Sequence, residues 1–225
     1  MLALLLIVGV AGFGLLLVRY GPPGFDESLL LWFRGTDDSG RVAGPQWLTT
    51  FWLGVTSLGG ARSRIVMVAW LLTGLCLLRR RSGALFSAAI LSSGFVLSTA
   101  IKYFVGRPRP HLVAHLVHAG SPGFPSGHAL NSTLFYMTLA LLLAPLLHSR
   151  GGRWVLYGVT AGLSLATGVS RIALGVHYPT DVIAGWVIAA AWLWFCFTVA
   201  GRYWPRALRD RGISEITERM LLNRN

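Results

Sequence analysis

"GALFSAAILSSGFVLSTAIKYFVGRPRP", residues 83–110, decides the architecture. Residues 83–101 carry no charge, the run ends at Lys102, and two Arg-Pro pairs follow. A helix needs about 20 apolar residues to cross the hydrocarbon core of a bilayer. The change from apolar run to basic, proline-rich segment therefore marks a membrane boundary. Lys102 is the only lysine in the chain, and the other basic side chains are all arginine. A compact ammonium has been placed where arginine is used everywhere else.

The same pattern recurs along the 225 residues, with further spans near 2–18, 58–78, 127–147, 154–174 and 181–200. Only 12% of residues are charged against 54% hydrophobic, and the mean hydropathy is +0.60. A soluble domain carries about 25% charged residues, so the solvent of this chain is lipid. The expected fold is all-α: a polytopic membrane helix bundle of six transmembrane helices, forming one membrane-embedded domain over 1–225. Residues 2–18 lack a basic leader and a small-residue cleavage site, so they read as a retained anchor. Arg62 and Arg64 shorten the second span and are expected to snorkel outward. The stretch 25–35, with acids first and arginine last, reads as a short outer interfacial helix. A second surface helix is expected in the tail 201–225. Cys76 and Cys196 read as core residues rather than a disulfide.

The net charge of +12 raises nucleic acid as a partner. That class is excluded by the pattern: the arginines fall in short clusters between apolar runs, with no aromatic-basic stretch. Their asymmetry sets orientation instead. Arg79 to Arg81, Arg150, Arg153 and six arginines in 202–224 share one side, which the positive-inside rule makes cytoplasmic. Both termini are then cytoplasmic, and the loops 19–57, 105–126 and 175–180 face outward.

Three polar clusters sit at the outer ends of these spans. Lys102 and Arg109 lie on one loop. On the next, Ser126 can cap a helix starting at Gly127, with His128 in its first turn, and a helix N-terminus with a hydroxyl and a glycine suits an anion. Arg171, His177 and Asp181 lie on the last. Asp181 is the only acid between residues 39 and 209. It reads either as a helix cap or as the carboxylate that orients His177, four residues earlier, leaving one imidazole nitrogen with a lone pair. The cations suit phosphate oxygens. Arg107, in the same loop, is a candidate headgroup contact. His111, His115 and His118 have a spacing that a helix could offer a metal, but no acid or cysteine completes the set. They read better as histidines flanking an entrance.

Taken in order, Lys102-x6-Arg109-Pro110, Pro125-Ser126-Gly127-His128 and Ser170-Arg171-x5-His177-x3-Asp181 resemble the three motifs of the type 2 phosphatidic acid phosphatase superfamily. The resemblance implies a membrane lipid phosphatase. His177 would be the nucleophile, Asp181 its orienting carboxylate and His128 the general acid and base. Lys102, Arg109, Ser126, Gly127 and Arg171 would hold the phosphate. It implies no metal and no other cofactor, a lipid phosphate or diphosphate as substrate, and the bilayer as surroundings. Undecaprenyl diphosphate fits the small chain best, ahead of phosphatidylglycerol phosphate and phosphatidic acid. Together with the arginine asymmetry, it implies the bacterial cytoplasmic membrane, with the site facing the periplasm or exterior. The alternatives are a lipid phosphotransferase using the same site and, less favoured by the outer position of the polar residues, a lipid transporter or channel.

Overall fold

The computed structural model describes residues 1–34 and 40–203. The described residues are helical without a strand: α1 Leu2–Tyr20, α2 Gly24–Arg34, α3 Gln46–Leu58, α4 Ala61–Leu77, α5 Arg81–Val105, α6 Gly127–Leu143, α7 Arg150–Ala173 and α8 Pro179–Tyr203. A 3₁₀ turn, Ala144–Leu146, extends α6. Helices α1, α5, α6 (with its extension), α7 and α8 are each long and apolar enough to cross a membrane. The pair α3 and α4, bent by 46° at their junction, is long and apolar enough only when the two helices are taken together. The chain is an integral membrane protein.

The second span differs from its expected form. A helix of 17 residues such as α4 rises roughly 26 Å, short of the ~30 Å hydrocarbon core. The missing length comes from α3, which occupies the end of the segment expected to be an outer loop. Gly59 and Gly60 separate the two helices, and a Cβ on Gly59 would collide with Thr167 Cγ2 and approach Ser132 Oγ to 2.8 Å and His128 Cδ2 to 3.0 Å. The bend thus seats backbone directly on α6 and α7, where no side chain would fit.

Helix α6 lies at the centre, flanked by α5, α7 and α8. Its Leu130 and Leu134 are fully buried against Ile90 of α5 and Ile188 and Ala189 of α8. Small residues permit the close approach that membrane helices need: a Cβ on Gly185 would lie 2.9 Å from the Ser126 carbonyl. Apolar side chains such as Val66, Trp70, Val96 and Val155 remain exposed around the bundle, as lipid-facing surfaces should. Helix α1 packs against α5 and α8 with Ala3, Ile7 and Leu17 buried.

The short helix expected over 25–35 forms as α2, but it is anchored rather than floating. Asp26 and Leu30 are fully buried and α2 packs on α7 and α8. Both cysteines are free, yet Cys76 is exposed, so the expected core role fails there; it sits on the outside of α4. Arg62 is exposed as expected, whereas Arg64 is half-buried on the inner side of the same helix. The expected tail helix lies outside the described residues.

Candidate active site

One end of the bundle gathers the residues of the three polar clusters. The last turn of α5 brings Lys102, the first turn of α6 brings Gly127 and His128, the last turn of α7 brings Arg171, and the α7–α8 turn brings His177 next to Asp181. Residues 106–126 cross between α5 and α6 without regular structure, so their carbonyls need other donors. The basic side chains provide them. Lys102 Nζ donates to the carbonyls of Pro122 at 2.7 Å and Pro125 at 3.0 Å. Arg109 Nε donates to Ser121 O at 2.7 Å and its Nη1 to Val176 O at 2.7 Å. An ammonium has three donors, so Lys102 keeps one for another acceptor. The chain turns out of α5 at Gly106, whose φ of +65° lies in the left-handed region that glycine occupies without a steric cost.

Ser126 caps α6, its Oγ accepting from Ala129 N at 3.5 Å while its own N–H donates to Asp181 O at 2.9 Å. The first N–H groups of a helix have no acceptor within it, which leaves those of Gly127 and His128 for an anion. Arg171 Nη1 donates to Thr56 Oγ1 of α3 at 2.7 Å, and its Nε is buried without a partner. The cations are therefore fixed by protein oxygens while some of their donors stay open.

His177 lies between a cation and a carboxylate. Its Nε2 is 3.1 Å from Arg109 Nη1. A guanidinium only donates, so Nε2 is the nitrogen with the lone pair and the proton belongs on Nδ1. That Nδ1 is 3.5 Å from Asp181 Oδ2, within ion-pair reach but not aligned as a hydrogen bond. Burial, reinforced by the charges of Arg109, Arg171 and Lys102, holds the imidazole well below the usual histidine range. At neutral pH it is an uncharged base. His128, in the first turn of α6, has its Cδ2 3.0 Å from where a Cβ on Gly59 would stand, against the bend between α3 and α4 and beside Thr167 of α7.

Asp181 is both things the sequence allowed. As the third residue of α8 it accepts the backbone N–H of Tyr178 at 2.9 Å through Oδ2, the reciprocal half of a capping box, and it faces His177. Its Oδ1 takes a 2.6 Å bond from Arg107 Nη1. Arg107 is not a headgroup contact. It is buried, bonded also to Thr180 Oγ1 at 2.7 Å and to Asp26 Oδ2 at 3.0 Å, and it lies over the Tyr178 ring at 4.6 Å. Asp26 in turn accepts Thr180 N at 2.8 Å, capping α8 from another helix because Tyr178 has no side chain that can do so. Asp26 is the residue that sequence reasoning missed, and Arg107 is the one whose role it misread. The available signal was the scarcity of acids: a carboxylate in a chain with eight of them needs a stated partner.

These three motifs and this bundle have counterparts. A family model described as the PAP2 superfamily matches residues 82–205, a range that holds Lys102 through Asp181. The chain belongs to the PAP2 superfamily. As a PAP2 protein it is a hydrolase acting on phosphate esters. Among its relatives, phosphatidylglycerophosphatase B of Bacillus subtilis (strain 168) is 30% identical over 142 residues, covering 62% of this chain and 68% of the relative. Undecaprenyl-diphosphatase BcrC of the same organism is 32% identical over 136 residues, covering 57% of this chain and 62% of that one. In fold, the chain resembles the crystal structure of a transmembrane PAP2 type phosphatidylglycerolphosphate phosphatase from Bacillus subtilis. The TM-score is 0.72 over 88% of this chain and 96% of the other, at 24% identity.

The loop histidines of this PAP2 protein do not converge: among the described residues no three potential metal ligands come together. His115 Nε2 lies 2.7 Å from the Pro110 carbonyl, pinning the loop to itself. A cavity of about 640 Å³ lies between α4, α5 and α6. Its lining is apolar, including Ile65, Leu72, Leu91 and Phe95, apart from Arg64, Ser92 and Asn131.

Proposed function

We propose that this PAP2 protein is a lipid phosphatase, one domain over residues 1–225, that removes a phosphate from a lipid monophosphate or diphosphate through a phosphohistidine on His177. It sits in the cytoplasmic membrane of a bacterium with its site outward and both termini inside. The observation that carries the chemistry is His177 itself, neutral, with its Nε2 lone pair marked by Arg109 and its Nδ1 turned to Asp181. Undecaprenyl diphosphate is the favoured substrate, and phosphatidylglycerol phosphate and phosphatidic acid belong to the same class. The similarity to a phosphatidylglycerophosphatase and to an undecaprenyl-diphosphatase supports that class.

In the first half-reaction the Nε2 lone pair attacks phosphorus and the P–O bond to the lipid breaks. His128, protonated at the start of this step, gives that proton to the departing oxygen and is left as the neutral imidazole. Lys102, Arg109 and Arg171, with the Gly127 N–H and the Ser126 hydroxyl at the α6 N-terminus, hold the non-bridging oxygens, and such charge stabilisation is usually the largest catalytic term. Asp181 stabilises the positive imidazole that forms. In the second half-reaction His128 takes a proton from water as its oxygen attacks phosphorus, and His177 leaves as the neutral base. Both proton and electron balances close on the chain's own groups and one water.

The deciding experiment is phosphate release by purified protein across prenyl diphosphates, phosphatidylglycerol phosphate and phosphatidic acid, with EDTA present throughout. Turnover of one or more of these lipids with chelator supports the reading. Turnover that appears only when Zn²⁺ is restored moves the chemistry to a metal site, with His111, His115 and His118 the first residues to replace.

A further inference from the structure

The position of Arg64 is not explained by the three motifs. It lies one turn into α4, half-buried, while its neighbour Arg62 is exposed. Among the described residues its guanidinium has no hydrogen-bond or ion-pair partner. An uncompensated charge facing the interior of a membrane protein is costly and marks a functional position. Its surroundings identify which function. Arg64 is one of three polar residues lining the cavity between α4, α5 and α6. Another of the three, Asn131, donates through Nδ2 to the Gly127 carbonyl at 2.8 Å, so the cavity borders the first turn of α6. Two contacts hold α3 and α4 in this register: Thr56 against Arg171, and the bare backbone of Gly59 against the His128 ring.

This deepens the lipid-phosphatase reading and rests on it. In an in-line displacement the leaving oxygen lies opposite the nucleophile, on the side of His128. The lipid attached to that oxygen must continue away from His177, and the apolar cavity, which reaches α6 at Asn131 about one turn along from His128, offers that route. Arg64 then stands where the first atoms beyond the leaving oxygen pass. A diphosphate places its second phosphate there. A monophosphate of a simple alcohol places carbon there and leaves the guanidinium without an anion.

We propose that Arg64 is a specificity-determining residue that binds an anionic phosphate carried by the leaving group, so that this site favours lipid diphosphates over lipid monophosphates. The leaving group of such a substrate departs as an anionic lipid phosphate, and Arg64 is the counter-ion waiting for it. Hydrogen bonds to charged groups contribute enough for about a 10- to 100-fold effect.

The test measures kcat/KM on farnesyl diphosphate and on farnesyl monophosphate, using the full chain in detergent, for the wild type, Arg64→Gln, Arg64→Lys and Arg62→Gln. The expected result is a diphosphate-to-monophosphate ratio that falls about 10- to 100-fold in Arg64→Gln, recovers in large part in Arg64→Lys and does not move in Arg62→Gln. A ratio that is the same in Arg64→Gln as in the wild type overturns the proposal, even if both activities drop together. A ratio that falls equally in Arg62→Gln also overturns it, because surface charge then accounts for the effect. A well-folded wild type that leaves both lipids intact removes the lipid-phosphatase reading itself, a result separate from either of these.

Discussion

Arg107 and His177 approach opposite oxygens of one carboxylate: Asp181 Oδ1 is 2.6 Å from Arg107 Nη1, and Asp181 Oδ2 is 3.5 Å from His177 Nδ1. The carboxylate therefore cannot turn toward or away from the imidazole without breaking a buried charge-assisted bond. Asp26, from the interfacial helix, completes the arrangement by holding the second Nη of Arg107 at 3.0 Å. The orientation of the histidine thus depends on a helix about 150 residues earlier in the chain.

Removal of Arg107 should be severe. Arg107→Ala leaves Asp26 and Asp181 as two fully buried carboxylates with their shared cation gone, and breaking a buried pair from one side costs about 3–5 kcal/mol. Arg107→Lys should restore little, since a point charge cannot bridge two carboxylates as a planar fork does. Thermal unfolding in detergent checks both: a large fall in Tm is expected for each, with Asp26→Asn milder because its amide oxygen can still accept from Thr180. An Arg107→Ala protein as stable as the wild type would mean that the bridge does not hold α2 and α8 together.

The protonation of His177 gives a pH prediction. Its folded value lies well below the ordinary 6.5, so the folded protein keeps it neutral while an unfolded chain protonates near pH 6.5. Below that pH the unfolded state binds more protons, and this group's contribution to stability is lost as pH falls. Nitrogen-15 NMR of histidine-labelled protein, with His177→Ala used to assign the signal, should show a neutral ring at pH 6. A midpoint at or above 6.5 would show that burial and the three cations do not act on it as described.

Orientation is checked by labelling. Cysteines at Gly120 and Gly151, placed singly in a Cys76→Ser, Cys196→Ser background, should differ in reaction with an impermeant thiol reagent on intact cells. Gly151 has open space for a new side chain, so the change should not disturb the fold. Labelling at Gly120 alone is expected. Labelling at Gly151 alone would invert the topology.

Much of this molecule was legible from its sequence because two strong regularities coincide. Long uncharged runs located α1, α5, α6, α7 and α8, and the polar residues at their ends marked the candidate site. Ser126 was legible as a cap because capping is local. The parts that were hidden depend on contacts between distant residues. Helix α3 was hidden because residues 46–57 read as part of an outer loop and Gly59 and Gly60 as the start of a straight span, whereas the two glycines mark a bend pressed onto His128 and Thr167. Arg107 looked like one more loop cation, since nothing near it in the chain shows that Asp26 will be folded against it. Arg64 looked like its neighbour Arg62, and only the packing of α4 on α6 tells which of the two faces inward.

The central claim is that His177 is the nucleophile. The most direct measurement is rapid-quench trapping with a ³²P-labelled lipid phosphate, followed by mapping of the acid-labile phosphohistidine in the wild type, His177→Ala and His128→Ala. The account predicts label on His177 in the wild type and none in His177→Ala. In His128→Ala label should still form, most readily from a substrate with a good leaving group, which needs little help from a general acid. Asp181→Asn should form it far more slowly; the loss of the equivalent orienting carboxylate in serine proteases costs about 10⁴-fold. A phosphohistidine that persists in His177→Ala and disappears in His128→Ala would contradict the account and exchange the two roles.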